Sequence, residues 1–164
     1  MTDRTYNALF ICTGNSARSI MAESLLSHLG RGRFRAHSAG SHPKGQVHPL
    51  ALATLEQLKL PASGLRSKGR EEFALADAPP LDFVFTVCDQ AAGEACPVWP
   101  GQPMTAHWGL PDPAAVEGAP EQQAKAFLDV AVTLKRRIEL MLAWPLATLD
   151  RMAIQREVRG IGRG

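Results

Sequence analysis

The stretch from Asn7 to Leu29 constrains the fold more than any other part of the chain. A short apolar run, Asn7 to Ile11, stops at Cys12-Thr13-Gly14-Asn15-Ser16-Ala17-Arg18-Ser19, after which Ile20, Met21, Leu25, Leu26 and Leu29 recur at helical spacing until Gly30. That order predicts strand, loop and helix. Phe34 to His37 predicts a second strand closed by Ser38-Ala39-Gly40, and Pro49 opens a helical pattern of Leu50, Ala53, Leu55 and Leu58 that Pro61 ends. A βαβα start points to a parallel sheet, whose strands are buried on both faces.

The rest of the chain extends this pattern. A weak helix is expected around Lys68 to Leu75. Leu81 to Val87 is a continuous apolar strand ending at Cys88. Residues 97 to 120 are rich in Pro and Gly and predict loop, with one short strand at Met104 to His107. From Pro120, the residues Ala124, Phe127, Leu128, Ala131, Leu134, Ile138, Met141 and Leu142 trace a long amphipathic helix that Trp144-Pro145 stops. The expectation is one α/β domain over residues 1–145, an open parallel sheet of about four strands flanked by helices. At 164 residues the chain has room for a single core. Residues 146–164 are expected to be a basic tail, a short helix or frayed and solvated, ending in Gly160, Gly162 and Gly164.

Charge and cysteine usage exclude several function classes. The net charge is +2, and the tail's Arg151, Arg156, Arg159 and Arg163 against Glu157 supply more than all of it. The body therefore lacks the basic face, interleaved with aromatics, of a nucleic-acid binder. No stretch approaches the roughly 18 apolar residues of a membrane span, and the start is polar, so neither a membrane helix nor a secretory signal is expected. Three cysteines do not make a disulfide scaffold, and a reducing cytoplasm is the expected compartment. Five histidines show no paired ligand spacing, so no metal site is expected. Trp99 and Trp108, in the loop region, are expected to pack over the core or to shield a pocket from water.

The chemistry gathers at the first strand-to-helix turn, where open α/β folds place anion and cofactor sites. Five residues between Cys12 and Arg18 allow the loop to curl until its N–H groups converge, with Gly14 and Asn15 tolerating left-handed conformations. The following helix adds its positive N-terminal end, and the planar fork of Arg18 matches two oxygens of a tetrahedral anion. This field is expected to lower the Cys12 pKa toward the nucleophilic thiolate, with Ser19 placed to hydrogen-bond it. Asp112, between Pro111 and Pro113, is either a turn residue or a general acid held on a stiff loop. Cys88 and Cys96 lack zinc spacing. They are either two structural thiols or a pair brought together by the small residues and Gly93 between them.

Residues 12–23, Cys-Thr-Gly-Asn-Ser-Ala-Arg-Ser-Ile-Met-Ala-Glu, resemble the active-site loop of the low-molecular-weight tyrosine phosphatase fold, and more narrowly of the arsenate reductases built on it. Ser38-Ala39-Gly40, the helix at 49–60, Val84 to Cys88 followed by Cys96-Pro97, and His107-Trp108-Gly109-Leu110-Pro111-Asp112-Pro113 are similar to the reductase branch. The resemblance spans about residues 7–142. It implies Cys12 as nucleophile, Thr13, Gly14, Asn15, Ser16, Ala17, Arg18 and Ser19 as the oxyanion cradle, Asp112 as general acid, and Cys88 and Cys96 as a disulfide relay. It further implies arsenate or a phosphate-like oxyanion as substrate, no resident cofactor, and an external reductant that is thioredoxin or glutathione with glutaredoxin. The rival implication is a phosphatase using Cys12, Arg18 and Asp112 alone. A non-catalytic anion-binding or thiol-sensing module is a third reading.

Two departures from the family pattern bear on this. Some reductases of the family hold a potassium ion beneath the loop with side chains that fall at Asn15, Glu23, Ser38 and position 68. Here position 68 is Lys, and its ammonium is expected to replace the ion. The family's phosphatases follow Asp-Pro with an aromatic that grips phosphotyrosine, whereas Asp112-Pro113 is followed by Ala114-Ala115.

Overall fold

The computed structural model describes residues 5–73, 78, 80–88, 103–146 and 151–163. Four parallel strands form one sheet in the order β2-β1-β3-β4: β1 Tyr6–Cys12, β2 Phe34–Gly40, β3 Phe83–Thr86 and β4 Met104–His107. Helix α1 (Arg18–Leu29) crosses from β1 to β2, α2 (Pro49–Gln57) follows β2, and α3 (Pro120–Leu142) and α4 (Arg151–Arg163) close the chain. This is the open parallel α/β sheet that the apolar runs predict. The weak helix expected near Lys68 is a single 3₁₀ turn, Arg70–Phe73.

The two central strands are apolar on both faces and lie inside the molecule. Ala8, Leu9, Phe10 and Ile11 of β1, and Phe83, Val84 and Phe85 of β3, are all buried. Phe10 stacks on Phe85 with ring centroids 5.2 Å apart, and Trp108 lies against Phe85 at 4.2 Å. Trp108 is therefore a core anchor; Trp99 lies outside the described residues. Helix α1 rests on β1 and β2, and α3 packs against α1 and α2 through Phe127, Ala131, Leu134 and Ile138.

The C-terminal segment departs from the expectation of a solvated end. Ile154, Val158 and Ile161 turn one face of α4 into the core along β4, and the Trp108 indole N–H donates to Val158 O at 2.8 Å. Gln155 bonds both backbone groups of Thr105, taking its N–H and donating to its carbonyl. A side-chain amide thus occupies hydrogen-bonding groups on an edge strand, where unpaired ones invite association. Apolar residues spaced four and three apart outweighed the arginines between them.

The chain passes from β2 on one side of β1 to β3 on the other. The crevice at such a reversal, beyond the carboxyl ends of the strands, is where open α/β sheets bind ligands. Cys12 ends β1, Cys88 follows β3 and Asp112 follows β4, so the topology carries all three to this end.

Candidate active site

The loop after β1 is held by its carbonyls. The N–H groups of His42, Lys44 and His48, from the connection after β2, donate to the carbonyls of Thr13, Gly14 and Ser16 at 2.9, 3.0 and 2.8 Å. Asn15 takes the left-handed turn the loop requires, at φ 44°. Its buried side chain donates to Ser19 Oγ at 2.8 Å and accepts from the Lys68 N–H at 2.8 Å. Ser19 Oγ is the acceptor in this bond, which leaves its hydroxyl proton to donate in turn. Gly40 permits the loop to lie this close, because a Cβ there would stand 2.6 Å from Thr13 O and 3.0 Å from Asn15 N.

Helix α1 starts at Arg18 without a side-chain cap, which leaves its first-turn N–H groups and positive end for an anion. Above the loop is a cavity of about 210 Å³, lined by the loop together with Arg18, Asp112, His42 and Lys44. Arg18 Nη1 donates to Leu110 O at 2.9 Å, and Nη2 lies 3.9 Å from Asp112 Oδ2. Asp112 caps the short 3₁₀ turn Pro113–Ala115 by accepting from the Ala114 N–H at 3.0 Å. His42 and Lys44 escaped the sequence reading. They sit in a Pro- and Gly-punctuated connection whose one signal is that it follows a strand adjacent to β1.

Cys12 and Cys88 are free thiols, both buried, and Cys88 lies within hydrogen-bonding reach of Cys12. The β1–β3 register, Ile11 beside Thr86, carries forward to set Thr13 beside Cys88. Cys88 Sγ accepts from the Thr13 N–H at 3.3 Å and lies 3.5 Å from Thr13 Oγ1. Cys96 lies outside the described residues. The Cys12 pKa is pushed up, where a lowered one was expected: the neighbouring Cys88 thiol contributes most and burial next, against the opposing pull of Arg18 and the Gly14 N–H. Two touching sulfurs share a proton readily, and it is the second ionisation of such a pair that becomes costly.

Beneath the loop, Glu23, Ser38 and Lys68 meet. The Ser38 hydroxyl donates to Glu23 Oε1, and Lys68 Nζ stands 3.7 Å from the same oxygen while donating to Arg66 O at 3.1 Å. Burial pushes Glu23 up and Lys68 down, each toward neutrality, and each is pulled back by the other's charge. The side-chain ammonium thus occupies the neighbourhood of the carboxylate. Asn15 joins this cluster through the Lys68 backbone.

The family model for the low molecular weight phosphotyrosine protein phosphatases matches residues 7–156. The chain belongs to that family. Among curated members it is 35% identical over 130 residues to the arsenate reductase of Shouchella clausii, covering 79% of this chain and 90% of the relative. It is 32% identical to the glutaredoxin arsenate reductase of Synechocystis, covering 82% and 95%. A solved arsenate reductase in the phosphate-binding state superposes with a TM-score of 0.69 at 32% identity, over 85% of this chain and 98% of that one. The thioredoxin-dependent arsenate reductase of Corynebacterium glutamicum gives 0.57 at 28% identity, over 85% and 65%. Among the described residues of this phosphatase-family chain, no helix is long and apolar enough to cross a membrane.

Proposed function

We propose that the chain reduces arsenate to arsenite with its own thiols and an external thiol reductant. The observation that carries this reading is the contact between Cys12 and Cys88 at the floor of an anion-shaped loop, since ester hydrolysis needs one thiol and reduction needs a second within reach. The relatives named arsenate reductases support the same substrate.

In this mechanism the Cys12 thiolate attacks arsenic while Arg18 and the loop amides of residues 13–19 hold the oxygens, and Asp112 protonates the departing oxygen so that water leaves. The Cys88 thiolate then attacks Cys12 Sγ. The sulfur–arsenic bond breaks with its electron pair moving to arsenic, and arsenite departs as a Cys12–Cys88 disulfide forms. Cys96 attacks Cys88, which releases Cys12 as thiolate and moves the disulfide to Cys88–Cys96 for a thioredoxin- or glutaredoxin-type dithiol to reduce. Lys68 supplies beneath the loop the positive charge that potassium supplies in some family members, so no step requires a metal.

Reconstitution with arsenate, NADPH and either a thioredoxin or a glutathione–glutaredoxin system tests the reading. Cys12→Ser abolishes turnover, because an alcohol cannot supply the anion. Cys88→Ser abolishes arsenate reduction and leaves any hydrolysis of p-nitrophenyl phosphate standing. Arsenate turnover that survives Cys88→Ser overturns the relay, and hydrolysis without arsenate turnover in the wild type makes the protein a phosphatase.

A further inference from the structure

Arg137, on α3, is only 7% exposed, and no carboxylate among the described residues pairs with it. Its Nη1 donates to Gly109 O at 3.2 Å, and its buried Nε has no partner among the described residues. A guanidinium without a counter-ion is a poor stabiliser, and an apolar side chain of similar length often serves a core as well or better. Stability alone does not account for it.

That hydrogen bond lands on the segment that carries Asp112. Gly109 O is held by Arg137 from α3, and the next carbonyl, Leu110 O, by Arg18 from α1. The N–H groups of Trp108 and Leu110 tie the same segment to Thr86 O and Val87 O at 2.7 and 3.1 Å. Asp112 itself is half-exposed, and its contacts are its own turn and the 3.9 Å approach of Arg18. Its placement is inherited from residues 108–110. Arg18 must divide its donors between Leu110 and an oxyanion, whereas Arg137 does not line the cavity.

We propose that Arg137 is a positioning residue that clamps Gly109 and so fixes the reach of Asp112 over the oxyanion cavity, independently of whether an anion is bound. This rests on Asp112 acting as the acid. The clamp changes the rate of the first chemical step and leaves anion affinity alone, because Arg137 does not line the cavity.

The test compares Arg137→Met and Arg137→Lys with Asp112→Asn. Three quantities are read: melting temperature, competition by inorganic phosphate, and the single-turnover rate of Cys12 loss on mixing with arsenate. Amide hydrogen exchange over residues 107–115 is followed in parallel. Arg137→Met is expected to melt at or above the wild-type temperature, to bind phosphate within about twofold, to react about tenfold slower and to exchange faster at 109–114, since general acid catalysis is worth roughly 10²–10⁴. Arg137→Lys, keeping a donor within reach of Gly109 O, restores most of the rate and protection. The Asp112→Asn/Arg137→Met double variant is no slower than Asp112→Asn alone. Wild-type rate and exchange in Arg137→Met, a joint fall of stability, affinity and rate, or additive losses in the double variant would overturn the proposal. A wild-type rate in Asp112→Asn removes the acid assignment instead, and the exchange data still report whether Arg137 holds the segment.

Discussion

Cys88 Sγ accepts a hydrogen bond from the backbone N–H of Thr13, the residue that follows the proposed nucleophile Cys12 in the chain and lies 75 positions away from its partner. The first amide of the loop is thereby engaged with the second thiol. In the proposed mechanism the second thiol and the oxyanion cradle therefore rest on the same stretch of backbone, because β1 and β3 are hydrogen-bonded neighbours.

The first prediction follows from that contact. The Cys88 thiol is the largest cause of the raised Cys12 pKa, so Cys88→Ala leaves Arg18 and the Gly14 N–H opposed by burial alone, and the Cys12 pKa falls. Thiolate absorbance and iodoacetamide alkylation followed against pH measure it. The expected result is alkylation at pH 7 faster by about tenfold, the ratio for one pKa unit. An unchanged titration would mean the two sulfurs do not share a proton.

Gly40 is the closest neighbour of the loop from β2. A methyl group in Gly40→Ala meets Thr13 O and Asn15 together, neither of which is a flexible side-chain end, so the loop must move rather than the methyl. Phosphate affinity and turnover are expected to fall at least about tenfold, a loss of roughly 1.4 kcal/mol, with circular dichroism unchanged. Retained affinity would show that the loop has slack the contacts do not suggest.

How much of this was legible in the chain differs from element to element. Cys12 and Arg18 stand out because a loop of turn residues lies between an apolar run and a helical pattern, whereas the prolines around Asp112 mark only a stiff turn and the acid role is what the family resemblance implies; β1 and β3 are legible as unbroken apolar runs. His42 and Lys44 were missed because nothing local distinguishes a cavity wall from a surface loop; only the β2–β1 pairing brings them there. In α4 the signal was present, in Ile154, Val158 and Ile161, but Gly160 and Gly162 suggested fraying. Gly162 instead lies so close to the His107 carbonyl that a side chain would clash. A field argument from one loop points to a lowered Cys12 pKa because it does not include a thiol arriving from the neighbouring strand.

Lys68 makes the potassium question an experiment. If its ammonium serves beneath the loop, wild-type activity is indifferent to exchange of sodium for potassium, and Lys68→Asp becomes potassium-responsive. Steady-state rates in the two salts at equal ionic strength decide it. Marked potassium activation of the wild type would place the ion elsewhere than on Asn15, Glu23, Ser38 and residue 68.

His48 gives the fold a pH dependence with a defined sign. It caps α2 by accepting the Leu50 N–H at Nδ1, its backbone N–H holds Ser16 O, and its ring lies 4.7 Å from that of Phe127. Burial first and Lys44 next lower its pKa, while Asp112 opposes them. A histidine whose folded pKa is depressed contributes stability above its unfolded value of about 6.5, lost as pH falls through the folded pKa. Urea midpoints should therefore fall between pH 7.5 and 5. His48→Asn, which keeps a capping oxygen but does not titrate, should shrink that fall, leaving the share of His37, whose pKa is lowered chiefly by burial, against the opposite contribution of Glu23, whose pKa burial raises. An undiminished fall in His48→Asn would exclude His48 as a source.

The last prediction concerns α4. Deleting residues 147–164 removes the side chains of Ile154, Val158 and Ile161 from the core, each worth roughly 1.5–3 kcal/mol when fully buried. Ordering the helix offsets much of that, so the net loss is on the order of 2–3 kcal/mol, or about 4–12 °C in melting temperature for a domain of this size. The deletion also exposes the Trp108 indole N–H and strips Gln155 from the Thr105 backbone, which opens β4 to pairing with another chain. Gln155→Ala separates the two effects: it keeps the apolar face and loses the amide, so it is expected to keep the melting temperature within about 2 °C while self-association in sedimentation velocity rises. A truncated chain that melts like the full one and associates no more than it does would show α4 to be an ornament on β4, and a Gln155→Ala variant that associates no more than the wild type would show that the edge needs no cover.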